Sequence, residues 1–325
     1  MFYAFLKTCL RKNKVFNTIT PENMGKKVSM AVSRVIIPRN IYFLFFNFIL
    51  LLSFYFPLKK LVTLSFTEEL YSHILVIPII SGYLIYQKRK VISLHAGYSF
   101  IFGSILISIG IILYLIGLNQ GGILNHNDHL SLLVFSAIIS WIGGFILIYG
   151  VQAFQKAAFP ILLLLFMVPI PSLIIEEIIF FLQKGSSEAT YVLFKLTGVS
   201  FYREGFFFYL PGITIEVAKE CSGIRSSLSL FITSLLMGHM LLKTGWKRII
   251  LTLFIIPITI FKNGLRIVIL SLLAVYVDET FLTDSRLHSN GGILFFMMAL
   301  SLLGIVLWVL RRSEKNPSNE LRKLG

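Results

Sequence analysis

The chain has 325 residues, 56% of them hydrophobic and only 14% charged, with a mean hydropathy of +0.82. Soluble domains hold roughly 45–50% apolar and about 25% charged residues, so the composition excludes an ordinary soluble fold and indicates a polytopic membrane protein. The formal net charge is +15, but most Lys and Arg sit in short segments between apolar runs, as the positive-inside rule requires, and no basic face interleaved with aromatics points to nucleic acid.

Residues 1–40 form a basic tail carrying Lys7, Arg11, Lys12, Lys14, Lys26, Lys27, Arg34 and Arg39. Its apolar start, "MFYAFL", is too short for a signal-peptide core, so the tail reads as cytoplasmic. Spans need about 20 mostly apolar residues each. The first is expected at 41–57, followed by a short outer segment with Lys59, Lys60, Glu68 and Glu69. Span two, 70–86, ends at the cytoplasmic stop "QKRK". Span three, 98–118, leads into the outer loop "NQGGILNHNDH", which has no Lys or Arg. Span four covers 130–150. Span five, 157–169, ends at "VPIP".

The stretch "SLIIEEIIFFLQKGSSEATYVLFKLT", 172–197, is too polar to face lipid all round. It reads as an interfacial or re-entrant helix, because irregular or polar segments at membrane depth need shelter from protein. "FYREGFFFYLPGITIEVAKE" follows and reads as a short extended hairpin turning at Pro211–Gly212. Span six is expected at 222–242, before the cytoplasmic "KTGWKR". Span seven, 248–276, contains "FKNGLR". The outer loop "DETFLTDSRLHSNGG" precedes span eight, 292–310, and a basic tail covers 311–325. The fold class is therefore all-α and polytopic, a single transmembrane domain over 41–310 with about eight crossings and both termini inside. Cys9 and Cys221, the two cysteines of the chain, fall on opposite sides, so Cys221 is a free thiol.

This topology collects three reactive residues at the outer face. Cys221 ends the hairpin and opens span six. His288 lies in the last outer loop. Arg266 lies 18 residues into span seven, about 27 Å from its cytoplasmic end at about 1.5 Å per residue. A thiol becomes a strong nucleophile as thiolate, at a helix N-terminus or beside cations. "CSG" before "IRSSLSLF" suggests such an N-terminus, with Arg225 four residues on and on the same helical face. Ser222 and Gly223 complete the turn, and Glu220 precedes it. His288 can act as general base and then general acid. Arg266, costly in a membrane span, can stabilise an oxyanion. Asn263, three residues earlier, can hold Arg266 or a substrate carbonyl. Taken singly, each residue also has a structural reading: a packing thiol, an ion pair to Glu216 or Glu220, a solvated histidine. "NHNDH" offers His126, Asp128 and His129, but the spacing matches no strong zinc pattern and a wet loop explains it; no metal and no cofactor is expected. His73 and His95 sit near span ends, and Glu176 and Glu177 diverge around a helix.

At these residues the sequence resembles the exosortase/archaeosortase family. The matching pieces are "YSHILVIPIISGYLIYQKR", "VPIP", "VAKECSGIRSS", "NGLRI" and "HSNGG", in that order from about residue 70 to 292. The resemblance implies a membrane cysteine protease-transpeptidase with a Cys, Arg and His triad falling on Cys221, Arg266 and His288. It implies exported protein substrates with a C-terminal sorting signal: a short motif such as Pro-Glu-Pro, one transmembrane helix and a basic cluster. A glycan or lipid of the cell envelope would be the acceptor, and the enzyme would sit in a bacterial cytoplasmic membrane with its site facing out. The family's block often reads Val-Ala-Glu-Ala-Cys, whereas here Lys219 and Glu220 precede Cys221. A transporter or export component for cell-surface glycan, with Arg266 binding an anionic substrate, is the rival reading. A membrane acyltransferase using the same thiol is a third.

Overall fold

A computed structural model describes residues 39–120, 122–278 and 286–315, the side chains of Glu220, Cys221, residues 286–291 and Lys315 excepted. The expected tails, 1–40 and 311–325, therefore lie largely outside the described residues. Among the described residues six helices are long and apolar enough to cross a membrane, and two bent pairs raise the number to as many as eight. The chain divides into two compact units, Met1–Leu64 with Ile74–Pro169, and Ser65–His73 with Ile170–Gly325.

In the first unit, α1 (Arg39–Ser53) bends by 75° into α2 (Tyr55–Thr67). Then come α3 (Val76–Gln87), α4 (Arg89–Leu94), α5 (Phe100–Asn119), α6 (His126–Lys156) and α7 (Ala158–Leu163), which runs on into a 3-10 turn, Leu164–Met167. Gly103, Gly110 and Gly117 are buried on α5 at intervals of seven. Seven residues are about two helical turns, so the three glycines make one stripe. A Cβ at Gly103 would meet the backbone of Leu147, and one at Gly117 the side chain of Leu133. Small residues here let α5 and α6 approach closely, the usual way apolar helices associate without a hydrophobic drive between them. Asn125 caps α6 by accepting from the Asp128 N–H at 2.8 Å. Near its other end α6 breaks at Gly150 (φ 87°, ψ 164°). There Gly97 N–H donates to the Tyr149 carbonyl at 2.9 Å and Ser99 N–H to that of Leu147 at 3.2 Å. Trp141 Nε1 donates to Asn47 Oδ1 (2.8 Å) and the Tyr149 hydroxyl to Asn40 Oδ1 (2.7 Å), tying α1 to α6.

The second unit takes in Ser65–His73, the end of α2 and most of a 3-10 segment, Glu69–Leu75, that precedes α3. Pro169 and Pro171 end the helical run after Met167, since proline restricts itself and the residue before it. The polar stretch then forms one 26-residue helix, α8 (Ser172–Thr197). The expected hairpin is present as β2 (Phe207–Leu210) and β3 (Ile213–Glu216), turning at Pro211–Gly212 with Gly212 at φ 85°. A strand absent from the expectation, β1 (Tyr202–Glu204), pairs antiparallel with β2 and makes a three-stranded meander. Phe208, Leu210, Ile215 and Val217 bury against Phe194 of α8 and against Ile267 and Val268.

A 3-10 turn, Lys219–Ser222, leads into α9 (Ile224–Leu241), α10 (Gly245–Leu253), α11 (Ile255–Tyr276) and α12 (Arg286–Lys315). Span seven is one crossing stretch, Gly245–Tyr276, with a local irregularity at Phe254 between α10 and α11, just ahead of Pro257, whose ring cannot accept an undisturbed helix turn before it. Leu230, Leu251, Ile258, Ala299 and Leu303 form the core that joins α9 to α12. Glu314 accepts from the N–H groups of Lys243 (3.1 Å) and Thr244 (2.9 Å) at the start of α10.

Candidate active site

The exit from β3 is held at two points. Val217 N–H donates to the Phe206 carbonyl at 3.0 Å. Its carbonyl accepts from buried Gln183 Nε2 of α8 at 2.6 Å. Two residues later the 3-10 turn begins, with Cys221 as its third residue, so the thiol-bearing backbone is anchored to α8. Gly223, in the left-handed region at φ 76°, ends the turn and starts α9. The Gly223 carbonyl accepts from the hydroxyls of Ser226 (2.9 Å) and Ser227 (2.7 Å).

α11 closes on this turn. A Cβ at Gly223 would lie 3.2 Å from Asn263 Oδ1 and 3.4 Å from Lys262 Nζ. Asn263 is almost fully buried and its Nδ2 donates to Ser186 Oγ of α8 at 3.0 Å. Lys262, also buried, donates to Ser226 Oγ of α9. Gly185 and Gly264 permit this: a Cβ at Gly264 would sit 2.8 Å from Ala189 Cβ. The hydroxyls of Ser187, Ser222 and Thr259 are buried with no hydrogen-bond partner. In an apolar protein, buried polar groups without partners are costly, so their concentration on α8, α11 and the turn calls for a chemical reason.

Arg266 is half-buried on α11, one turn beyond Lys262 and Asn263. Lys262 and Asn263 thus meet the turn at Gly223, and Arg266 lies one turn further along α11. His288 lies in the first turn of α12 rather than in a loop. α11 and α12 share a core around Ile258 and Ala299, and the short connection between them makes them antiparallel. The side chains of Glu220, Cys221 and His288 lie outside the described residues.

Arg225 departs from expectation. Gly223 breaks the helical register, so Cys221 and Arg225 do not share one helical face. The Arg225 guanidinium instead pairs with Glu69, both side chains being largely exposed. His126, Asp128 and His129 belong to the α6 cap: Asn125 Nδ2 donates to Asp128 Oδ2 at 2.8 Å, and His129 Nε2 lies 3.0 Å from the Gly117 carbonyl. Lys262, Gln183, Ser186 and Ser226 were not singled out from sequence. Lys262 carried a usable signal, an ionisable side chain inside an apolar span, one turn before Arg266.

A family model described as transmembrane exosortase matches residues 64–305, well over half of the chain. The chain belongs to the transmembrane exosortase family. No curated protein and no solved structure matches it. The matched range of this exosortase-family protein takes in the meander, the turn bearing Cys221, the α8–α11 polar cluster and the first turns of α12, and leaves α1 outside.

Proposed function

We propose that this protein is a cysteine protease-transpeptidase that cleaves a C-terminal sorting signal from exported proteins and passes them to a cell-envelope acceptor. One observation carries the reading: in a member of this family, the turn bearing Cys221 is clamped by Gln183 and meets buried Asn263, one helical turn from Arg266.

In this scheme the Cys221 thiolate attacks the scissile carbonyl carbon. The Arg266 guanidinium and the Asn263 amide stabilise the oxyanion. The C–N bond then breaks, His288 gives its proton to the leaving amine, and a thioester remains on Cys221. An acceptor nucleophile, a glycan or lipid group of the envelope, loses its proton to His288 and releases the thiol. The substrate's own transmembrane helix and basic tail would hold the scissile bond at the outer surface of a bacterial cytoplasmic membrane. A motif of the Pro-Glu-Pro kind just before that helix fits this placement.

The test is processing, in cells, of an exported reporter that ends in a sorting motif, a transmembrane helix and a basic cluster. Cys221→Ala, Arg266→Ala and His288→Ala should each leave the reporter uncut while the variant stays in the membrane. Full processing by Cys221→Ala overturns the proposal and favours a glycan transporter or export component.

A further inference from the structure

The first unit holds a second polar feature, away from Cys221 in sequence and outside the scheme above. A cavity of about 490 Å³ is lined by Arg39, Arg89 and Lys90 together with Phe43, Tyr86 and Tyr149. Arg39 is 8% exposed, and its Nε has no hydrogen-bond partner. Its guanidinium lies 4.5 Å from the Tyr98 ring centre. Arg89 is held over the Tyr86 ring at 3.9 Å and donates to the Tyr86 carbonyl at 3.0 Å. Neighbouring Lys88 is engaged elsewhere, donating to the Lys156 carbonyl at the end of α6 (3.0 Å).

No lining residue is acidic. Among the described residues of this unit the sole carboxylate is Asp128, in the first turn of α6. Tyr149 is 21 residues further along, about 30 Å at 1.5 Å per residue. A buried guanidinium needs a counter-charge, and among the described residues this unit supplies none within reach. The "QKRK" segment also marks this end of the unit as the cytoplasmic one by its charge. Asn40 and Ser93 add two uncharged polar groups, and Ile85, Ile92, Ala96 and Phe145 make the rest of the lining apolar.

Three cations with an apolar floor, at the membrane's charged edge, fit an anion that carries a greasy tail. We infer that this cavity binds the headgroup of an anionic phospholipid, its phosphate on Arg39, Arg89 and Lys90 and part of an acyl chain along Phe43 and Phe145. Basic pockets between spans at the cytoplasmic side recognise lipid phosphates by this chemistry, and the volume falls within the usual range for ligand cavities. The site owes nothing to Cys221, so its failure and that of the proposed function are separate. Arg39 precedes the family-matched range, while Arg89 and Lys90 lie inside it.

The experiment titrates the full-length protein, delipidated in neutral detergent, with short-chain phosphatidylglycerol, and separately with phosphatidylcholine and with inorganic phosphate. Binding is read from the shift in thermal unfolding. Phosphatidylglycerol should raise the unfolding midpoint and phosphatidylcholine should not. Arg89→Gln with Lys90→Gln, both exposed positions that fold without difficulty, should weaken phosphatidylglycerol by about thirtyfold, from about 1 kcal/mol per cation at the surface and 1.4 kcal/mol per decade. Arg39→Gln should abolish the shift, while Arg311→Gln with Arg312→Gln, on α12, should keep it. Equal stabilisation by phosphatidylcholine, or a shift unchanged in the Arg89/Lys90 double variant, overturns the inference. So does a full shift with inorganic phosphate alone, which would make this a free-phosphate site.

Discussion

Gly223→Ala separates the two jobs that the turn after Cys221 performs. The backbone there is at φ 76°, and an L-residue in the left-handed region costs about 1–2 kcal/mol. Replacing glycine also lowers the entropy of the unfolded chain, which returns about 0.4–1 kcal/mol. The net penalty from conformation alone is therefore about 1 kcal/mol. The second cost is contact. The new methyl would lie 3.2 Å from Asn263 Oδ1, 3.3 Å from Asn263 Cγ and 3.4 Å from Lys262 Nζ. Neither neighbour moves freely, because Asn263 is tied to Ser186 and Lys262 to Ser226. The turn must shift away from α11 instead.

Gly198 is the control: it closes α8 at φ 73°, and a Cβ there meets nothing within 4 Å. Gly198→Ala thus carries the conformational penalty without the contact. Gly198→Ala should lose about 1 kcal/mol in thermal unfolding, and Gly223→Ala that loss plus the cost of the contact. Only Gly223→Ala should cut reporter processing, by about tenfold or more, since small misplacements of reacting groups are expensive. The alkylation rate of Cys221 by an impermeant maleimide, measured in a Cys9→Ser background that leaves one thiol, should change with it. Equal processing and equal alkylation in the two variants would refute the claim that Asn263 and the Cys221 turn work as one unit.

Three further outcomes follow from the same geometry. Gln183→Leu strands the buried Val217 carbonyl and should cost about 1–3 kcal/mol; an unchanged unfolding midpoint counts against the clamp. Lys262→Met removes a cation near the turn, and because a nearby positive charge favours the thiolate, the apparent pKa of Cys221 from the pH dependence of alkylation should rise; a fall or no change would place Lys262 outside the site's electrostatics. Glu188→Gln breaks its 2.9 Å pair with Arg203, but Glu188 is mostly exposed, so stability should change by less than about 1 kcal/mol; a larger loss would mean the pair does more than decorate the meander.

The spans were legible because their limits are written in residues with strong local physics. "QKRK" stops one apolar run, "VPIP" interrupts another, and "LPG" turns the hairpin where the structure turns it. Span length and topology also gave Cys221, Asn263 and Arg266 a common expected depth, and of these the structure brings Asn263 against the turn at Gly223. What escaped was decided by packing or by backbone sign. Periodicity does not tell whether Gly223 is helical or left-handed, so Cys221 was read onto α9 and Arg225 beneath it. β1 carries Arg203 and Glu204, and becomes a strand because Phe208 and Leu210 of the neighbouring strand bury against α8. Gln183 and Val217 are 34 residues apart, and no local pattern announces that bond.

The length and polarity of α8 fit together once its two faces are separated. Gln183, Ser186, Ser187 and Thr190 recur at helical spacing, and all four are buried. Glu176, Glu177, Lys184, Glu188 and Lys195 are exposed. The helix is thus inverted relative to a lipid-facing span: uncharged polar groups point inward, and charges point outward. Charges in hydrocarbon are costly, yet Leu173, Phe180, Phe181 and Leu196 are exposed beside them, so the outward side of α8 is amphipathic rather than wholly charged. The inward face then meets α11 and the Cys221 turn with hydroxyl and amide groups instead of methyl groups. The Cys221 turn, clamped to this helix through Gln183, thus has polar groups beside it, while α9, α11 and α12 still bury their apolar sides against one another.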